Sequence, residues 1–161
     1  MARVYSELDR RFAAYQSLVT LLLRLAVGLT FFFSGYGKVA GGVAGTSKFF
    51  GSLGIPFPAL MGPFISYLEL IGGAAIIIGL LTRVFALLLM GDMAVAILVA
   101  LLPKALKAAS MAAGWATFRT EVLLFMGCAA LLVAGAGVLS ADAALRNPRG
   151  RQVVEERPIT P

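Results

Sequence analysis

Leu18-Val-Thr-Leu-Leu-Leu-Arg-Leu-Ala-Val-Gly-Leu-Thr-Phe-Phe-Phe-Ser-Gly-Tyr-Gly37 decides the fold class. The run carries one charged side chain, Arg24. A helix needs about 20 largely apolar residues to cross a hydrocarbon core of about 30 Å. This stretch has that length. Three more follow: Ala59 to Leu81, Val84 to Leu102 and Glu121 to Leu139. The composition agrees. Sixty per cent of the 161 residues are hydrophobic and 14% are charged, with mean hydropathy +0.91. A soluble domain averages about 25% charged residues. Too few polar residues remain to wrap four such helices in water. The expected fold is all-α, an integral membrane four-helix bundle. Residues 1–145 read as a single four-span domain and 146–161 as a polar, poorly ordered tail.

The first run follows a polar start containing Arg3, Arg10 and Arg11, as a signal peptide does. No small-residue cleavage site follows it, so it reads as an uncleaved first helix. Orientation comes from Lys and Arg at the span ends. Eight lie on one side: Arg3, Arg10, Arg11, Arg83, Arg146, Arg149, Arg151 and Arg157. Five lie on the other: Lys38, Lys48, Lys104, Lys107 and Arg119. The bias predicts a multi-pass chain with both termini in the cytoplasm. Much of the net charge of +6 flanks the spans, where it suits lipid headgroups. No basic-aromatic array of the nucleic-acid-binding type is present.

The turn Leu81-Thr82-Arg83-Val84 is so short that spans two and three must form an antiparallel hairpin. The loop after span one is longer and rich in glycine. It predicts a short interfacial or re-entrant segment, capped by Thr46 or Ser47, that carries Phe49, Phe50 and Leu53. Pro56 and Pro58 turn the chain back. The segment from Pro103 to Thr120 reads as an outer loop in which Trp115 anchors at headgroup level.

Function classes narrow by absence. The chain has no His and one Cys, Cys128. That excludes His-ligated zinc or haem, a Ser-His-Asp triad, an intrachain disulfide and a CxxC pair. No motif for a covalently bound cofactor or for a metal is present.

Charges within spans are costly, so they face the bundle interior, pair, or line a path. Arg24, Glu69 and Asp92 lie within spans, and Lys38 and Glu121 at outer ends. Arg24, Gly28, Phe31, Gly35 and Lys38 fall on one helical stripe. So do Glu69, Gly73, Ile76 and Leu80; Asp92, Ala96 and Val99; and Glu121, Leu124, Cys128, Leu131 and Gly135. At about 1.5 Å per residue, Arg24 lies about 9 Å from the inner end, Asp92 about 12 Å and Glu69 about 18 Å. Two pairings fit those depths: Arg24 with Asp92, and Lys38 with Glu121. Glu69 can join either. These five form the candidate polar site. They either lock the bundle or serve a substrate or proton. The outer half also collects Phe31, Phe32, Phe33, Tyr36, Phe49, Phe50, Phe57, Phe64, Tyr67 and Trp115. Packing and anchoring explain most of them. A flat headgroup such as a quinone also suits such a site.

The ordered motifs resemble the DoxX family. They are Leu-Leu-Arg-Leu-Ala-Val-Gly-Leu-Thr-Phe (22–31), Ser-Gly-Tyr-Gly-Lys (34–38), Phe-Phe-Gly-Ser-Leu-Gly-Ile-Pro-Phe-Pro (49–58), Glu-Leu-Ile-Gly-Gly (69–73), Gly-Leu-Leu-Thr-Arg (79–83), Glu-Val-Leu-Leu (121–124) and Gly-Ala-Gly-Val-Leu-Ser-Ala-Asp (135–142). The resemblance implies a small bacterial or archaeal four-helix membrane protein. Some members resemble the quinone-reducing membrane subunit of a thiosulfate-oxidising enzyme, and others are linked to oxidoreductase complexes. Arg24, Lys38, Glu69 and Glu121 match family positions. Two departures stand out: no His near the end of span three, and Ala136 where Pro is usual. The implied function is a membrane subunit of a quinone-linked oxidoreductase, with quinone as ligand and partner subunits or further copies of the chain beside it. The alternative is a non-catalytic subunit that anchors a larger complex. A small-solute transporter would need several copies to build a path, and no broken mid-membrane helix is legible.

Overall fold

A computed structural model describes residues 2–146, with side chains from Tyr15 onward. The polar tail from 147 lies outside the described residues. The chain runs α1 (Ala2–Ala40), α2 (Val43–Ser52), α3 (Pro58–Ile78) and α4 (Thr82–Val95), then a π-helical turn (Ala96–Leu101), α5 (Leu102–Ala105), α6 (Met111–Ala134) and α7 (Ala141–Arg146). Four segments are long and apolar enough to cross a membrane: Tyr15–Ala40, Pro58–Ile78, Thr82–Ala105 and Met111–Ala134. The protein is an all-helical, four-span membrane bundle, as its runs of apolar sequence require. With four crossings, the described ends of α1 and α7 share one end of the bundle, here called the terminal end. Helix α2 sits at the other.

Close backbone approach sets the register of α1 against α3. A Cβ at Gly35 would strike the backbone of Leu70, one at Gly73 the backbone of Phe32, and one at Gly28 would lie 2.7 Å from Ile77. Small residues permit such approach in membranes, where packing drives helix association. Helix α3 starts on Pro58, whose fixed φ suits the first turn. It ends at Gly79, with φ +78°. There Leu80 N–H bonds Ala75 O at 2.9 Å and Gly79 N–H bonds Ile76 O at 3.1 Å, a Schellman closure.

Three boundaries differ from expectation. Helix α2 starts at Val43 behind Gly42, and no side chain caps it. Ser47 bonds back to Val43 O inside the helix instead, and Thr46 also lies within it. The reason is spatial, because α2 presses onto α3 so closely that a Cβ at Gly62 would strike Ser47. The fourth span starts ten residues earlier than Glu121. Ser110 caps it by accepting a bond from Ala113 N–H at 3.2 Å. Its apolar face runs back through Trp115, which packs edge-on to Phe118 at 5.4 Å. It also ends earlier, at Gly135 with φ +78°. The third departure is the π turn. Ala100, two helical turns beyond buried Met93 and on the same face, is buried at 7%, whereas Val99 is 39% exposed. Pro103, which has no N–H to donate, follows this turn.

Candidate functional site

The five candidate residues do not form one site. They divide between the two ends of the bundle, and a dry layer separates them.

At the terminal end, Arg24 is buried. It does not pair with Asp92. Its guanidinium donates to four backbone carbonyls: Ile76 O at 2.9 Å, Ile77 O at 2.6 Å, Ala136 O at 2.8 Å and Leu139 O at 2.6 Å. The last turn of α3 leaves carbonyls unsatisfied and carries the negative end of the helix dipole. A planar, five-donor cation fits that position better than a carboxylate ten residues up α4 does. The neighbouring turn is closed by Asp142, whose carboxylate accepts from Leu81 N–H at 2.8 Å and Thr82 N–H at 3.1 Å. Asp142 N–H in turn bonds Gly79 O at 2.9 Å. Gly79 leaves no room for a side chain, since its Cβ would lie 2.6 Å from Arg24 Cζ. This end is a structural clasp of α1, α3, α4 and α7. Arg83, in the same turn, is exposed and donates to Val133 O at 3.3 Å.

The other four candidates converge on one cavity of about 490 Å³. Lys38 lines it from α1, Glu69 from α3, Asp92 from α4 and Glu121 from α6, and Phe49 and Phe50 of α2 close it. Lys38 pairs with Glu69, not with Glu121. The register explains the choice. Glu69 immediately precedes Leu70, which Gly35 meets, and Lys38 lies one turn beyond Gly35. Glu121 moves inward for another reason. Ten residues of α6 precede it, so it lies about 15 Å along the helix. The Glu69 carboxylate is buried, and its Oε2 also accepts from Ser34 Oγ at 3.0 Å. Asp92 approaches Glu69 within hydrogen-bonding reach. Its Oδ2 is buried and receives no hydrogen bond from any described group.

Phe31 lines the cavity and is buried. Phe33, Tyr36, Phe57, Phe64, Tyr67 and Trp115 point outward. The aromatic collar read from the sequence therefore splits, with Phe31, Phe49 and Phe50 facing the site and most of the others facing lipid. Lys104 lies over the ring of Phe49 at 5.6 Å and ties α2 to α5. Sequence reading missed the hydroxyls Thr30, Ser34, Thr46 and Thr120, which share the wall. Ser34 alone was legible, four residues before Lys38 on the same face. No three or more His, Cys, Asp or Glu side chains among the described residues stand close enough to hold a metal ion. The volume suits a small organic molecule, whose sites run from about 300 to 1,000 Å³.

Comparison with known proteins fits this architecture. The DoxX family model matches residues 19–102, just over half of the chain. The chain belongs to the DoxX family. It is 46% identical over 76 residues to "Putative oxidoreductase CatD" of Bacillus subtilis (strain 168), covering 45% of this chain and 54% of that protein. It is 38% identical over 71 residues to "Inner membrane protein YqjF" of Escherichia coli (strain K12), covering 44% and 52%. The chain thus spans about half the length of the curated relatives it matches. No solved structure matches it. The matched segment holds Arg24, Lys38, Glu69 and Asp92, while Glu121 lies beyond it.

Proposed function

We propose that this DoxX protein is a membrane subunit of a quinone-linked oxidoreductase in the bacterial inner membrane, with both termini cytoplasmic. One observation carries the reading. A cavity in the α2 half of the bundle combines an aromatic wall (Phe31, Phe49, Phe50) with a cation and three carboxyl groups (Lys38, Glu69, Asp92, Glu121). Reduction of a quinone to a quinol takes two electrons and two protons. The carboxyl groups are suited to supply protons, and Lys38 to favour negative charge on a quinone oxygen. The electrons come from a partner subunit that carries a flavin or a metal centre. The names of the two relatives, a putative oxidoreductase and an inner membrane protein, agree with this class and this location.

The test has two arms. The protein is purified in mild detergent and its lipids are extracted and analysed for quinone. A fully substituted short-chain benzoquinone, which does not alkylate thiols, is then titrated against thermal unfolding. Cys128, the single cysteine, is fully buried, so a thiol-reactive dye reports unfolding directly. Binding at 100 times Kd adds about 2.7 kcal/mol of stability. Quinone should co-purify, and the stabilisation should disappear in Glu69→Gln. Neither co-purification nor stabilisation would leave the anchoring-subunit reading in its place.

A further inference from the structure

We propose that Lys38, Glu69 and Asp92 form a one-sided proton relay, which connects the cavity to the face bearing α2 and is sealed from the terminal end. The relay serves the site assigned to quinone above and rests on that reading for its purpose. Its geometry stands separately.

The three residues line one cavity from α1, α3 and α4, and Asp92, like Lys38, is less buried than Glu69. The Lys38 side chain is 32% exposed and that of Glu69 is 3% exposed. Lys38 pairs with Glu69, and Glu69 lies within hydrogen-bonding reach of Asp92. Two carboxyl groups bond to each other only when a proton sits between them, since an ionised carboxylate only accepts. Asp92 Oδ2 receives no other donor, so the shared proton is the bond available to it. The charged groups that line the cavity are Lys38 from α1, Glu69 from α3, Asp92 from α4 and Glu121 from α6. None comes from α2, and Cys128 of α6 stands near Asp92.

The opposite direction is closed. Between the cavity and the Arg24 clasp lie Val27 of α1, Ile76 of α3, Ala86 and Leu89 of α4, and Cys128 and Leu131 of α6, all in one buried cluster. A dry apolar layer offers no hydrogen-bond partner for water or a migrating proton. Protons consumed or released at the cavity therefore exchange with the α2 side.

Two measurements test this. Infrared difference spectroscopy of the purified full chain should show a protonated carboxyl band at neutral pH. That band should vanish in Asp92→Asn and in Glu69→Gln. In Lys38→Met its hydrogen–deuterium exchange should slow by about a hundredfold, the scale of losing a positioned proton-transfer group. Lys38→Arg should restore much of the rate. Burial of Cys128 checks that each variant in the infrared series folds. For sidedness, Ser34→Cys in a Cys128→Ala background is challenged with a membrane-impermeant thiol reagent in vesicles of both orientations. It should react only from the side opposite the termini. A missing band, a band that survives both substitutions, unchanged exchange in Lys38→Met, or reaction from the terminal side would overturn the relay. The infrared and labelling results need no quinone, so a failed relay is distinguishable from a failed quinone assignment.

Discussion

A side chain at Gly35 would have to occupy space held by the Leu70 backbone. Backbone cannot move aside as a flexible side chain can. Gly35→Val should therefore cost more than the usual 1–3 kcal/mol of overpacking, at least about 3 kcal/mol, with the Lys38–Glu69 pair lost as well. A fall in the temperature at which Cys128 becomes reactive checks it. Arg24 is the second single residue on which much depends. It satisfies four carbonyls at once. Arg24→Leu leaves them without that donor, at about 1–3 kcal/mol for each one that stays dry. Arg24→Lys keeps the charge but not the fork, and should fall between wild type and Arg24→Leu in the same dye assay. Both positions lie on the stripe read from the sequence. What the stripe did not show was the partner. Periodicity states which face is inward, and says nothing of what waits there.

Elements were harder to bound than to find. All four spans were visible as apolar runs, yet the fourth was misplaced by ten residues. Trp115 and Arg119 read as interfacial, whereas the Ser110 cap starts the helix before them. The π turn was invisible because it depends on how α4 meets its neighbours. The α3–α4 turn depends on a distant element, since Asp142 of α7 caps the first N–H groups of α4. Asp142→Ala should cost about 1 kcal/mol, as for a lost helix cap. Circular dichroism should show the helix content retained while Cys128 labelling shows the earlier melting. Thr82 Oγ1, buried beside this cap, has no hydrogen-bond partner among the described residues, and nothing in the structure explains it.

At the scale of the whole molecule the bundle has two functional halves. The terminal half is a clasp of backbone carbonyls, and the α2 half is a polar cavity under an aromatic lid. Among the described residues, no side-chain hydrogen bond runs from the clasp to the cavity across the apolar layer between them. Distant sites without shared partners contribute additively, within about 0.5 kcal/mol. Asp142→Ala and Glu69→Gln should therefore add in thermal stability. Only Glu69→Gln should remove stabilisation by the benzoquinone. Coupling beyond that margin would mean that the layer transmits strain between the halves. By itself, the sequence determined the four spans, the hairpin of spans two and three, the inward stripes and the residues worth testing. Those follow from hydrophobic length and helical periodicity, which are local properties. Tertiary structure alone decided that Lys38 meets Glu69, that Glu121 lies mid-span and that Arg24 stands apart from the site. Partnership between charges depends on register, and register here comes from where two glycine-faced helices can touch.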